Sequence, residues 1–248
     1  QQGGTLFQRE QQDVTTNFLQ LLRYNKSFGS HSFDALIAHE SNDYTRDRSS
    51  GSKRDVAIPG LLELDNFAVA QGQPTGFSEG ATLESYFSQF NYNYDGTYFL
   101  SASVRTDSSS RFINDKWGVF WSVGGSWIAS NESFLENSNF LSYLKLKASY
   151  GVLGDQEGVD FFQSDDTFNV NNLNDGLSIS ERANGNPDLT WEESQMFQTG
   201  VELSLNRYLD VNVDYYIKNT ENLFFNRRVG SSQGISSITV NDGVLRNT

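Results

Sequence analysis

The stretch from Leu83 to Thr106 constrains this chain more than any other. It holds two runs of about a dozen residues joined by Asp95-Gly96. In the first, Tyr86, Ser88, Phe90, Tyr92 and Tyr94 alternate with Phe87, Gln89, Asn91 and Asn93. In the second, Tyr98, Leu100, Ala102 and Val104 alternate with Phe99, Ser101, Ser103 and Arg105. Successive side chains leave a pleated strand on opposite faces, so period two means strand. Asp-Gly supplies the positive φ angles of a tight hairpin turn. The pattern predicts a long β-hairpin with one mostly apolar and one mostly polar face.

The same alternation recurs along the chain. Val14–Lys26 is a candidate strand with blurred periodicity, and Ser32–Glu40 sets Phe33, Ala35, Ile37 and His39 against Asp34, Leu36, Ala38 and Glu40. Trp117, Val119, Trp121, Val123, Gly125 and Trp127 share one parity. Leu144–Val152, Ser194–Leu205 and Tyr208–Lys218 follow the same rule, Asn206-Arg207 forms a tight turn, and a ninth strand begins near the end. The composition agrees: 14% aromatic, 21 Gly and 3 Pro suit strands with tight turns. With no cysteine, disulfides and thiolate metal sites are excluded.

Connections of alternating rank differ in length. Those at 28–31, 95–96, 130–142 and 206–207 are short or compact; those at 41–82, 107–116, 153–193 and 230–241 are longer. Within them, a helical turn is expected around Leu61–Phe67 and a short amphipathic helix within Ser130–Ser142. In an up-and-down sheet the two sets lie at opposite ends, and short turns opposite long loops is the outer-membrane barrel pattern. Trp117 and Trp127 stand ten residues apart on one face. At ~3.3 Å per residue and a strand tilt of about 40°, that spans roughly 25 Å, the height of an apolar band between aromatic girdles. No run of 18 apolar residues exists, which rules out a transmembrane helix but not transmembrane strands. The alternative is a soluble β-sandwich with Tyr and Trp in its core.

Chemistry-bearing patterns are sparse. The net charge of −13 argues against a nucleic-acid partner, and ten acidic residues against Arg182 crowd Leu153–Glu193. His31 and His39 fit no metal pair or triad, and no nucleophile elbow or phosphate loop occurs. Asp155, Glu157 and Asp160 lack EF-hand register, and the pairs Asp165-Asp166 and Glu192-Glu193 read as solvated acids. Trp191 reads as a wedge in loop packing, with sugar stacking as its alternative. No catalytic or metal-binding residue is assigned, no cofactor is expected, and the substrate-binding residues are left open. The polar parity of the strands, including Gln89, Arg105, Lys145, Lys147, Glu202 and Asp214, suits a wet interior or a plug surface.

Three stretches carry a resemblance. Ser103-Val-Arg-Thr-Asp-Ser-Ser-Ser-Arg-Phe112 with Lys116-Trp-Gly-Val-Phe, Leu144-Lys-Leu-Lys-Ala-Ser-Tyr-Gly-Val-Leu-Gly-Asp-Gln156, and Asn186-Pro-Asp-Leu-Thr-Trp-Glu192 match a set of motifs in order and spacing. Together with Asp214-Tyr215-Tyr216 they resemble the SusC/RagA group of TonB-linked outer-membrane transporters of Bacteroidetes, from roughly Asn17 to the C-terminus. The resemblance implies an all-β, antiparallel up-and-down transmembrane barrel, of which eight or nine of 22 strands are present here. It implies residues 1–248 as barrel wall, with plug and TonB-box regions outside this chain; Leu245–Thr248 is not the aromatic terminus of a complete barrel. It further implies a Gram-negative outer-membrane importer of oligosaccharide or peptide, not an enzyme, working with a SusD-like lipoprotein lid, the TonB complex and outer-membrane lipid. The alternative function is a SusC-like barrel serving as a structural subunit of another outer-membrane assembly.

Overall fold

A computed structural model of the chain describes residues 3–135, 138, 140–174, 176–206, 208–230, 232 and 234–248. Its strands are β1 (Thr5–Phe28), β2 (His31–Val56), β3 (Phe67–Ala70), β4 (Thr75–Tyr94), β5 (Tyr98–Ser109) and β6 (Trp117–Ile128). They continue with β7 (Leu141–Asp155), β8 (Thr167–Leu173), β9 (Gly176–Ala183), β10 (Glu192–Leu205), β11 (Leu209–Arg228) and β12 (Ser237–Asn247). The main sheet runs β1-β2-β4-β5-β6-β7-β10-β11-β12, with β3 branching from β2, and β8-β9 form a separate pair. The nine strands of that path follow chain order, which is the up-and-down antiparallel topology. The sheet is open, with β1 and β12 at its edges.

The chain forms two units: Gln1–Asn17 with Asn42–Thr82, and Phe18–Ser41 with Leu83–Thr248. In the second and larger unit the period-two pattern pins the register. Leu100 stands opposite Tyr92 on β4 and Gly125 on β6. Trp127 pairs with Leu146, Leu146 with Val201, and Val201 with Val213. A one-residue slip would put each of these on the polar face, so the alternation specifies the pairing. Asp95 (φ 53) and Gly96 (φ 63) both take positive φ, as the turn requires, and Thr97 N–H closes onto the Tyr94 carbonyl at 3.0 Å. Asn206 also has positive φ at the β10–β11 turn; Arg207 lies outside the described residues.

In the smaller unit both faces of the sheet are polar. On one, Asp13 accepts hydrogen bonds from Tyr44 Oη (2.5 Å) and Arg46 Nε (2.8 Å), and Arg46 reaches Glu79 at 3.1 Å. Another contact joins Ser78 to Asp47. Its loop is organised by Asn66, whose side chain donates to the carbonyls of Ile58 and Leu61 and accepts from Ile58 N–H.

Several expectations change in detail. The excursion at 41–82 is largely strand, since β2 runs to Val56 and β4 starts at Thr75. Its Ser, Asp and Arg residues are polar because both faces are polar, not because the backbone is irregular. Likewise Val14–Lys26 is the middle of a 24-residue strand. The helical turn near Leu61–Phe67 is a 3-10 turn at Leu64–Asn66. Where an amphipathic helix is expected within Ser130–Ser142, the described residues form a 3-10 turn at Ala129–Asn131 followed by i→i+3 bonds at Glu132, Leu135 and Ser138, and residues 136, 137 and 139 lie outside the described residues. Its apolar spacing finds no surface to bury against: Phe134 and Phe140 are exposed, with Phe134 lying 6.5 Å from Trp127. The acidic stretch 153–193 carries the β8-β9 hairpin, formed where Phe168, Val170, Leu177 and Ile179 alternate with Asn and Ser.

Candidate functional site

The site is the wall of the larger unit, and its two faces differ in chemistry. On the apolar face, Trp117, Val119, Trp121 and Val123 are all open, Val119 at 58% exposure. Aromatic rings collect at both of its ends. At the short-turn end a chain of neighbouring rings runs Phe28, His31, Tyr94, Tyr98, Trp127 and Phe134, with centroid spacings from 4.9 to 6.5 Å. Glu132 anchors this belt by accepting from Tyr98 Oη (2.6 Å) and Trp127 Nε1 (3.1 Å), bonds that hold its carboxyl below the usual range. Toward the long-loop end His39, Tyr86 and Trp117 form a second group. Trp and Tyr, with an apolar body and a polar tip, suit such boundary positions.

The polar face is a network of small and charged side chains. Ser103 and Ser122 share a hydrogen bond of 2.7 Å across β5 and β6. Lys147 on β7 pairs with Glu202 on β10 and with Asp214 on β11, each at 3.0 Å. The second pair spans the whole width of β10, which is possible because Gly200 lies between them; a Cβ there would overlap both side chains. A hollow of about 410 Å3 opens beside Asp34, Asn91, Ser101, Ser126, Lys145 and Gln198.

At the long-loop end the three motif stretches meet. Arg105 grips Asp107 with two bonds (2.7 and 2.9 Å) and donates to Ser85 at 2.9 Å, while its guanidinium lies over the Phe87 ring. Arg111 ties the β5–β6 loop to the β7–β10 loop through the carbonyls of Gln156 (3.1 Å) and Val159 (2.7 Å). Beside these bonds Phe112, Phe120, Val159, Leu189 and Trp191 form a buried cluster. Trp191 is 5% exposed and donates Nε1–H to the Lys116 carbonyl, which makes it a packing wedge and closes it to sugar stacking. Asn186 donates to the Thr239 carbonyl, and Glu192 accepts the Phe224 N–H at 2.6 Å. Glu192 is thus a structural acceptor, correcting its reading as a solvated acid. Asp166 likewise accepts the Gly185 N–H at 2.9 Å, and Asp155 accepts that of Glu157 at 2.9 Å.

His31 bonds Tyr92 Oη at 2.8 Å, and His39 lies 3.5 Å from Glu84. Among the described residues no three or more His, Cys, Asp or Glu gather as a metal site. The sequence does not announce Phe112, Phe120, Val159 and Leu189 as a cluster. Phe112, Val159 and Leu189 are isolated apolar residues within polar loops, and Phe120 stands on the polar parity of β6; of the four, Phe112, Phe120 and Leu189 fall inside the matched motifs.

The whole chain, residues 1–248, matches the family model described as TonB dependent receptor-like, beta-barrel. TonB-dependent receptor P39 of Formosa agariphila is 36% identical over 66% of this chain and 16% of its own length. TonB-dependent receptor P3 of the same organism is 31% identical over 94% of this chain and 24% of its own length. TonB-dependent receptor SusC of Bacteroides thetaiotaomicron is 28% identical over 91% of this chain and 23% of its own length. A solved structure of the RagAB peptide transporter superposes with a TM-score of 0.88 at 31% identity, covering 97% of this chain and 27% of that one. The chain therefore spans about a quarter or less of the length of the curated relatives it matches. With its open antiparallel sheet, nine strands in up-and-down order, and the match along all its residues, the chain belongs to the TonB-dependent receptor β-barrel family, a family of receptors and transporters rather than enzymes.

Proposed function

We propose that this chain is part of the barrel wall of a longer TonB-dependent importer in the outer membrane of a Gram-negative bacterium of the Bacteroidetes. Its substrate is an oligosaccharide or a peptide. The observation that carries the reading is the match of all 248 residues to a receptor-barrel family. The exposed apolar face then meets lipid, with the ring belts at its two boundaries, and the polar face lines the lumen. The plug and the TonB box lie in regions outside this chain, and a SusD-like lipoprotein covers the long-loop end. Relatives named SusC and the solved RagAB transporter support that arrangement.

Uptake by cells carrying the full-length receptor tests the reading. Deleting TonB or collapsing the proton-motive force is expected to stop accumulation of the ligand. Import that persists without either overturns the reading. Co-purification of a SusD-like lipoprotein is expected; co-purification of a secretion or motility assembly in its place would favour a structural subunit.

A further inference from the structure

The connection between β6 and β7 breaks the pattern of its end of the sheet. Its neighbours there are short: residues 29–30 join β1 to β2, 95–97 join β4 to β5, and 206–208 join β10 to β11. Residues 129–140 join β6 to β7. A longer connection that carries large apolar side chains needs a physical reason, because apolar area left in water is unfavourable.

The first half of this connection folds toward the apolar side of the wall. Trp127 shares its strand parity with Trp117 and Trp121, so its indole stands on that side. Glu132 accepts from Trp127 Nε1 at 3.1 Å and from Tyr98 Oη at 2.6 Å, which turns the chain outward just beyond the strand end. Two residues on, the Phe134 ring lies 6.5 Å from Trp127. Asn131 donates to the Gly96 carbonyl at 3.1 Å and pins the connection to the neighbouring β4–β5 turn. Bonds from Leu135 N–H to Glu132 and from Ser138 N–H to Leu135, each 2.9 Å, then carry the backbone through successive turns.

The backbone is thus held while the apolar side chains stay bare. Phe134 is 69% exposed and Phe140 66%. Phe134 closes the row of rings that runs from Phe28 through His31, Tyr94, Tyr98 and Trp127. That row edges the strand face proposed to meet lipid, so the medium that covers the face continues onto the connection. Ser130, Asn131, Ser133 and Ser138 fill much of the rest, small polar groups that a headgroup layer can hydrogen-bond.

We propose that the β6–β7 connection lies on the periplasmic leaflet of the outer membrane as an interfacial foot, with Phe134 and Phe140 sunk among the lipid headgroups. Lipid is the surface that its apolar spacing lacks within the chain. The inference rests on the outer-membrane reading and adds a lipid contact outside the spanning strands.

Nitroxide labelling of the full-length receptor in phospholipid nanodiscs tests it. This chain has no cysteine, so Phe134→Cys, Phe140→Cys, Val123→Cys and Ile58→Cys each give one site once any cysteine elsewhere in the receptor is replaced by serine. Oxygen concentrates in lipid and a nickel chelate stays in water, so the ratio of their relaxation effects reports the medium around each label. Ile58, exposed in the smaller unit, is the water reference, and Val123 on the apolar face is the lipid reference. Labels at 134 and 140 are expected to show an oxygen-to-nickel ratio severalfold above that at 58. A ratio equal to that at 58 at either position overturns the proposal. Access to neither reagent would place the rings against protein and overturns it as well. Phe134→Trp keeps a ring beside Trp127, and lipids brominated near the headgroup end of the acyl chain are expected to quench its added emission; no added quenching overturns the proposal. Nickel access at Val123 would remove the outer-membrane reading itself, whereas oxygen access there with nickel access at 134 and 140 removes only the foot.

Discussion

The buried cluster at the long-loop end and the apolar face of the strands use the same residue types in opposite ways. Phe112 and Leu189 are 0% exposed and Trp191 5%, yet Trp117 on the neighbouring apolar face is 53% exposed. The first group is a conventional dry core, made where loops fold over a polar strand face. The second has no protein partner because, in the proposed setting, lipid is its solvent. Burial thus marks the core only where water is the alternative. The smaller unit is a third case, polar on both faces and suited to water on both sides.

The largest effect is expected from the dry cluster. Trp191→Ala should cost about 3–5 kcal/mol, because the aromatic side chain leaves a cavity and the Lys116 carbonyl loses its donor. Equilibrium unfolding of the full-length receptor in bilayers would measure it, and a loss below about 1 kcal/mol would mean that the cluster is not a core. A charge on the apolar face comes next. Val123→Arg, between the two ring groups, should destabilise by about 2–4 kcal/mol if that face meets lipid at mid-depth. Thr45→Arg, at an exposed position in the smaller unit, should change stability by no more than about 0.5 kcal/mol. Equal costs at the two positions would erase the distinction between the units.

Smaller effects probe the polar networks. Asp214→Asn should destabilise only slightly, because the pair with Lys147 is partly open to solvent. Added salt should shrink even that difference in the same unfolding assay. The smallest concerns Asp13, whose carboxyl is held well below the usual range by bonds from Gln11, Tyr44 and Arg46. A lowered carboxylate pKa stabilises the fold above the unfolded value of about 4 and fades as pH falls through the folded one. Stability should therefore show no Asp13 contribution to its pH dependence between pH 7 and about 5. The Asp13 bond also raises the Tyr44 phenol, so Asp13→Asn should lower its alkaline titration, visible in a phenolate absorbance difference. An unchanged titration would show that this cluster does not persist in solution.

How much of this could be read in advance depends on the range of the interaction. The hairpin at Leu83–Thr106 and the two positive φ angles at Asp95-Gly96 are local patterns, and each is present in the structure. The segregation of loop lengths is less strict than expected, since 129–140 separates β6 from β7 while only 110–116 separates β5 from β6. Strands β1, β2 and β4 are longer than their alternation suggests, since their outer halves lack an apolar parity and so resemble loop. Among the described residues of 130–142 the chain makes successive turns in place of the expected helix, because apolar spacing makes a helix only where a surface waits to receive it.

Alternation determined the strands of the larger unit's main sheet and their faces, because a period of two is a property of neighbouring residues. The motif stretches likewise determined the family from one dimension. What only the tertiary structure decided is how distant residues share space: Trp191 against Phe112 and Phe120, Lys147 reaching Asp214 over Gly200, and Glu192 capping Phe224. Such contacts depend on which loops fold back onto which strands, and no local period records that.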